Sequence, residues 1–212
     1  MKTTVRTLAA LLPLLCLAAF ARPAHGQYLG QFGPLNRMGD GQKSLGLYLG
    51  SGPVGLGPLA EVRANYGSHG TVGVQAGLAD KIFALQGDLR AGIMGTGGDF
   101  PVELGGELAG GLVTGGGDTG IYGQLVPALS FEVDAGSGQS WAGWAGLGYR
   151  VTASNKRIGS GAGIFRVGGR FTFSRQLGMA ANLEDVAGSG HLLVGVEYRF
   201  GGGGASNVPG GR

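Results

Sequence analysis

Acidic residues and arginines in this chain keep to one face of the apolar segments that contain them. Successive side chains of a β-strand point to opposite sides, so the charged Glu197 and Arg199 lie opposite Val196 and Tyr198 in the apolar segment 190–200. The same separation holds for all twelve charged residues inside such segments. Strands of this kind build a sheet with one charged face and one apolar face, and the two faces require different surroundings.

Nine segments alternate with period two, which predicts β-strands. Turn signals rich in glycine and aspartate separate them, and Asp80, Asp99 and Asp118 recur 19 residues apart. That spacing equals one strand plus one short turn, so it predicts consecutive antiparallel neighbours. The segments are about 43–50, 59–66, 71–78, 82–93, 102–113, 121–133, 141–151, 164–173 and 192–200.

Glycine accounts for 48 of the 212 residues, which argues against a helical fold. Each glycine inside a helix costs about 1 kcal/mol relative to alanine. Because valine, leucine, isoleucine and aromatic residues recur at regular positions, a disordered low-complexity chain is also disfavoured. The sequence therefore predicts an all-β fold, an up-and-down antiparallel transmembrane β-barrel.

The first 26 residues have the pattern of a secretory signal peptide. Lys2 and Arg6 precede an apolar run over 8–20, which is shorter than the roughly 20 residues of a spanning helix. Removal of this segment takes away three bases, no acid and Cys16, the single cysteine. The exported chain then has no net charge and no disulfide, and a nucleic-acid partner is not expected.

Two residue choices predict that the charged face lines the inside of the barrel. The strand interiors carry arginine rather than lysine, and the planar fork of arginine suits carboxylates in a confined space. Glycines such as Gly73, Gly105 and Gly168 crowd the same face, where they make room for a large side chain from across the lumen. The uncharged face would then meet lipid, with a girdle of aromatic residues near the strand ends. The predicted lumen ion-pair network comprises Glu61, Arg63, Asp88, Arg90, Glu103, Glu107, Glu132, Arg150, Arg166, Arg170, Glu197 and Arg199.

The segment LVGVEYRF at 193–200 resembles the terminal strand of Gram-negative outer-membrane β-barrels. Gly195, Tyr198 and Phe200 have the spacing of that motif, and the chain as a whole is similar to the small up-and-down barrels of the OmpA/OmpX-like superfamily. The resemblance implies a location in the outer membrane and a role for these three residues as a signal for the outer-membrane assembly machinery. Two features depart from the family pattern. Twelve residues follow Phe200, and Leu193 stands where a polar residue is usual.

The number of strands follows from how the barrel closes. Closure with both chain ends on one side favours an even number. We predict eight strands, with 43–50 outside the barrel, or ten strands if 28–32 supplies another. The predicted organisation is a signal peptide at 1–26, a flexible N-terminal segment at 27–41, the β-barrel at 42–200 and a flexible glycine-rich tail at 201–212.

A catalytic function finds little support in the sequence. Nucleophilic catalysis needs a base beside a serine, cysteine or threonine, and the exported chain offers His69, next to Ser68 in a turn, and His191 at a strand start. Glu103 and Glu107 would lie about 13 Å apart along one strand, where ion pairing with arginine is favoured over glycoside hydrolysis. We predict no enzyme and no catalytic, cofactor-binding or metal site.

The predicted function is that of a small outer-membrane barrel with a structural role or a role in presenting a surface loop. Barrels this small fill their bore with side chains, whereas aqueous channels belong to barrels of about 16 strands. Loops carry specificity, and the candidate loops are 174–189 and then 152–162. A soluble secreted barrel that binds a small ligand and a lipid-modifying outer-membrane enzyme stay open as alternatives. Membrane lipid is the expected partner, and the sequence indicates no cofactor and no particular external ligand.

Overall fold

The chain forms a closed barrel of ten antiparallel strands in which each strand pairs with its neighbours in sequence and β1 pairs with β10. A computed structural model describes residues 41–52, 55–66, 70–95, 102–155 and 160–201. Within these ranges no helix is long and apolar enough to cross a membrane. The strands are β1 (Lys43–Gly52), β2 (Gly55–Tyr66), β3 (Gly70–Ala79), β4 (Ile82–Gly95), β5 (Val102–Gly115), β6 (Asp118–Gly136), β7 (Gln139–Ser154), β8 (Ser160–Thr172), β9 (Leu177–Val186) and β10 (Ser189–Phe200).

The prediction of an all-β up-and-down barrel is confirmed, and of the two strand numbers that the sequence left open the structure has ten rather than the favoured eight. The segment at 43–50 belongs to β1 inside the barrel. The strand that the sequence interpretation missed is β9, which occupies most of the predicted loop 174–189. In β9, small residues such as Gly178 and Ala180 take inward positions, so the apolar and polar faces contrast weakly. The alternative source of a tenth strand, 28–32, lies outside the described residues, as do nearly all of the predicted signal peptide, N-terminal segment and tail.

Tight turns join several of the strands. The pairs Asp80–Lys81, Gly116–Gly117, Ser137–Gly138 and Ala187–Gly188 each have positive φ at both residues, which is the conformation of the type I′ hairpin turn. This turn matches the right-handed twist of the strands it connects. The short segments at these four positions are therefore hairpin connections.

The two ends of the barrel are named here by the chain ends. The terminal rim is the end where β1 begins and β10 ends, and the distal rim is the opposite end. The turns at 80–81, 116–117 and 187–188 lie at the distal rim, whereas 137–138 and 173–176 lie at the terminal rim. The second predicted loop, 152–162, is mostly strand, because β7 continues to Ser154 and β8 starts at Ser160.

The outer surface of the barrel is apolar from one rim to the other. Among the described residues, outward positions are charged at Lys43, the first residue of β1, and at Asp185, the last but one of β9. Aromatic side chains crowd the terminal rim, where the ring centroids of Trp141 and Phe171 are 4.4 Å apart and those of Tyr198 and Phe200 are 6.2 Å apart. The predicted girdle residues fall at both ends: Tyr66, Phe131, Trp141, Phe173 and Phe200 at the terminal rim, and Phe83 and Tyr149 toward the distal rim.

Pro127 lies on this outer face without shifting the strand register. The pairing of β6 with β7 has the same register before Leu125 and after Ala128, although Val126 and Pro127 make no pair there. A proline has no backbone N–H to donate to the neighbouring strand, so one step of the ladder is lost. No bulge accompanies the proline, and the register shift in the described part of β4 lies between Gly92 and Met94.

Candidate functional site: the ion-paired lumen

The inward side chains of the ten strands fill the barrel interior. Arg150, Glu184 and Leu193 are at most 1 % exposed although they face the bore. An apolar cluster formed by Tyr48 and Leu193 with Leu59, Trp144 and Ala180 occupies part of the interior. Polar and charged side chains fill the rest, so the lumen is a packed core rather than an open channel.

Eight charged residues form a continuous chain of ion pairs through the interior, here called the eight-residue network. Acids and arginines alternate along it, so that every internal member has an opposite charge on both sides. The N···O distances are between 2.5 and 3.2 Å. In order of contact the members are Glu61, Arg63, Asp88, Arg90, Glu107, Arg166, Glu184 and Arg150.

Glu107 links β5 to β8, two strands that do not pair with each other. It lies on β5 and accepts hydrogen bonds from Arg90 Nε of β4 at 3.1 Å and from Arg166 Nη1 of β8 at 2.9 Å. Its other carboxylate oxygen accepts from Gln124 Nε2 at 3.0 Å. Because β5 and β8 are three strands apart, the contact between Glu107 and Arg166 ties the barrel across its bore.

Glu184 completes the eight-residue network near the distal rim. It lies on β9 and is fully buried. One carboxylate oxygen accepts from Arg150 Nη2 at 3.0 Å, and the other accepts from Arg166 Nε at 2.8 Å. Arg150 also lies 4.9 Å from the ring centroid of Tyr122, within range of a cation–π contact. This acid was not among the predicted network residues, because its segment was interpreted as a loop.

A second group, here called the four-residue network, lies toward the terminal rim. Arg170 contacts Glu132 at 3.2 Å and Glu197 at 3.5 Å, and Arg199 contacts Glu197 at 3.1 Å. Ser140 donates a hydrogen bond of 2.6 Å to Glu132. Three of these side chains are more exposed than those of the eight-residue network, with Glu132 at 14 % and Glu197 and Arg199 at 11 %.

The charges of the two networks balance. The eight-residue network holds four acids and four arginines, and the four-residue network holds two of each. Moving an ion from water into a protein interior costs several kcal/mol, and close opposite charges offset this cost only when the remaining donors and acceptors are also satisfied. Neutral amides take part for this reason: Gln75 donates to Glu61, and Gln124 accepts from Arg150.

The structure places all twelve predicted lumen residues at inward positions. Eleven of them belong to the two networks. Glu103 lies half-buried at the start of β5, where its carboxylate packs over Gly92 of β4. The parity of a residue within its strand was therefore sufficient to place its side chain, whereas the partner of each charge depends on the register between strands.

Inward glycines lie beneath the largest interior side chains. A Cβ built on Gly73 would lie 2.7 Å from Nη2 of Arg63, and one built on Gly168 would overlap the indole ring of Trp144. Such distances are shorter than van der Waals contact, so glycine is needed where a large residue reaches across a neighbouring strand.

The predicted assembly residues divide between the two faces of β10. Tyr198 and Phe200 point outward at the terminal rim and stack on each other. Gly195 points inward, against Tyr48 of β1, to which it is also paired in register. The glycine therefore has a packing role at the contact between the first and last strands, and the two aromatic residues are available on the outer surface.

Of the two histidines considered for catalysis, His191 is buried and His69 lies outside the described residues. His191 is 3 % exposed on the inner wall, opposite Glu184 in register. Ser68 and His69 lie outside the described residues. Within the described ranges, no group of three or more histidine, cysteine, aspartate or glutamate side chains has the arrangement of a metal site.

Comparison with known proteins finds similar barrels among solved structures. No family model matches the chain, and no curated protein matches it. The solved structures that are similar include a KdgM porin (TM-score 0.40, 12 % identity, 74 % of this chain and 99 % of that chain) and the outer-membrane enzyme PagL (0.41, 12 %, 74 % and 98 %). The Acinetobacter baumannii outer membrane protein Omp33 is also similar (0.37, 8 %, 76 % and 99 %). The likeness is one of barrel architecture and carries no function to this chain.

Proposed function

We propose that this chain is a small outer-membrane β-barrel with a closed lumen and a structural role in the bacterial cell envelope. The observation that carries the proposal is the apolar outer surface, which has charges only at Lys43 and Asp185 among the described outward positions. Soluble monomers rarely expose apolar patches larger than a few hundred Å². An apolar band between two aromatic zones is the outer surface expected of a barrel in lipid.

The packed interior supports a structural role over transport. A conducting barrel needs a continuous water-filled path, and large aqueous channels are found in barrels of about 16 strands. Here the apolar cluster around Tyr48 and the eight-residue network both cross the interior, and their members are nearly inaccessible to solvent. The alternative role in loop presentation has less support, since most of its first candidate, 174–189, is strand β9 (Leu177–Val186), and the described distal turns have two residues each. Catalysis is not part of the proposal, because His191 is buried inside the barrel.

The contact of the outer surface with lipid can be measured with site-specific fluorophores. Leu104→Cys on β5 and Val194→Cys on β10 place a probe on the outer face, and Ser137→Cys places one in an exposed turn at the terminal rim. In vesicles, lipids brominated on their acyl chains are expected to quench the first two probes strongly and the turn probe weakly. Probes at Leu104 and Val194 that report bulk water in the folded protein would show that the membrane proposal is wrong.

Closure of the lumen predicts that the purified barrel is electrically silent. In planar bilayers it should give no steady ion conductance under conditions in which a 16-stranded porin conducts readily, because its interior has no continuous aqueous path. Insertion is verified separately by protection from protease. Stable, reproducible conductance steps from the inserted protein would contradict a closed lumen and favour a channel function.

A further inference from the structure

The inner wall of the barrel differs between its two ends. Near the distal rim it carries two buried apolar clusters beside polar residues such as Ser189 and His191. Ala84 and Val113 pack with Tyr122 in one buried cluster, and Ile164 and Val186 pack in another. These five residues, here called the distal seal, belong to β4, β5, β6, β8 and β9.

Exposure of the charged side chains follows the same direction. Arg150 and Glu184, which lie close to the distal seal, are 1 % and 0 % exposed. Glu132 and Arg199, toward the terminal rim, are 14 % and 11 % exposed. Glu132 and Arg199 near the terminal rim are therefore more exposed to solvent than Arg150 and Glu184 near the distal rim.

Arg150 contacts the first of these clusters and a residue on a strand of the second. It lies over the ring of Tyr122, which belongs to the first cluster, and pairs with Glu184 on β9, the strand that carries Val186 of the second. The hydroxyl of Tyr122 donates to Gln86 below it. The contacts with Glu184 and Tyr122 offset part of the cost of burying the Arg150 charge beside the apolar clusters.

We propose that the distal seal is a hydrophobic barrier, so that water-soluble molecules reach the charged interior only through the terminal rim. This inference rests on the proposed closed lumen and adds a direction to it. The four-residue network then forms the floor of a shallow polar vestibule that opens at the terminal rim. In a membrane-spanning barrel, the start of β1, the end of β10 and the vestibule face the same compartment.

The reactivity of single cysteines toward a charged, water-soluble thiol reagent tests the barrier. Starting from Cys16→Ser, the Ser140→Cys variant reports on the vestibule and the Ser189→Cys variant on the inner wall beside Val186, its register partner. In the folded protein, Ser189→Cys is expected to react about tenfold or more slowly than Ser140→Cys, since thiol reactivity depends on access to solvent. Both variants should react equally in urea.

A second substitution tests whether the apolar side chain of Val186 limits the labelling rate of the Ser189→Cys thiol. Adding Val186→Ala to Ser189→Cys removes part of the distal seal and should raise the reaction rate about tenfold. Adding Val196→Ala makes the same truncation on the outer face of β10 and should leave the rate unchanged. All variants are checked for folding by heat-modifiable migration in gels.

Two results would overturn the inference. One is native labelling of Ser189→Cys as fast as that of Ser140→Cys, and the other is an unchanged rate after Val186→Ala. The labelling assay is made on the full chain folded in detergent micelles and does not involve lipid. Either result would therefore overturn the barrier without affecting the membrane proposal, which the lipid-quenching measurement tests separately.

Discussion

Replacing Glu184 with glutamine is expected to lower the free energy of unfolding by about 3–5 kcal/mol, because it leaves buried arginines without their counter-charge. Glu184 contacts both Arg150 and Arg166, and its carboxylate is fully buried. Glutamine keeps the shape of the side chain, so the loss reflects charge and hydrogen bonding rather than a cavity. The measurement is equilibrium unfolding in urea of the barrel folded in detergent, followed by tryptophan fluorescence and by heat-modifiable migration.

The matched control for this substitution is the adjacent residue on the other face. Asp185 points outward, and its Oδ1 accepts a hydrogen bond from the N–H of Gly188 in the turn. Asp185→Asn keeps that acceptor while removing one charge, so a change of less than about 1 kcal/mol is expected. Equal and small effects of Glu184→Gln and Asp185→Asn would mean that the charged lumen is open to water, which would contradict a packed interior.

The sequence was sufficient to predict the faces of the strands but not their partners. Side-chain direction in a strand depends only on position along the chain, so residues such as Arg166 and Glu107 could be placed inside the barrel. Their mutual contact depends on the register between strands and on closure around the bore, which are properties of distant segments. The periodicity therefore predicts a charged interior, whereas the order of the ion pairs requires three-dimensional information.

The error in strand number has a physical origin in β9. Leu177 and Met179 alternate with inward Gly178 and Ala180, so the pattern of this strand is large against small rather than apolar against polar. A method that weighs hydrophobicity alone finds little contrast there. The signal that could have identified the strand is Asn182 and Glu184, which have the same parity and are followed by the turn at 187–188. Counting this segment as a strand gives the even number that closure requires.

Gly195 is expected to contribute to the stability of the barrel as well as to any assembly signal. A Cβ at this position would lie 2.6 Å from Cα of Tyr48 and would also overlap the carbonyl oxygen of Leu47, so β1 and β10 could not keep their present separation. Overpacking of this kind costs about 1–3 kcal/mol. Gly195→Ala should therefore lower the unfolding free energy of purified protein refolded in detergent, where no assembly machinery is present.

Gly123→Ala provides the control for the effect of alanine itself. Gly123 points outward on β6, and no heavy atom lies within 4 Å of the position its Cβ would take. Because glycine in a strand loses more conformational freedom on folding than alanine does, Gly123→Ala should be neutral or stabilising by up to about 1 kcal/mol. A Gly195→Ala variant as stable in detergent as Gly123→Ala would contradict the packing role. If it also failed to assemble in cells, Gly195 would act as a recognition element, in line with the resemblance of its strand to known assembly signals.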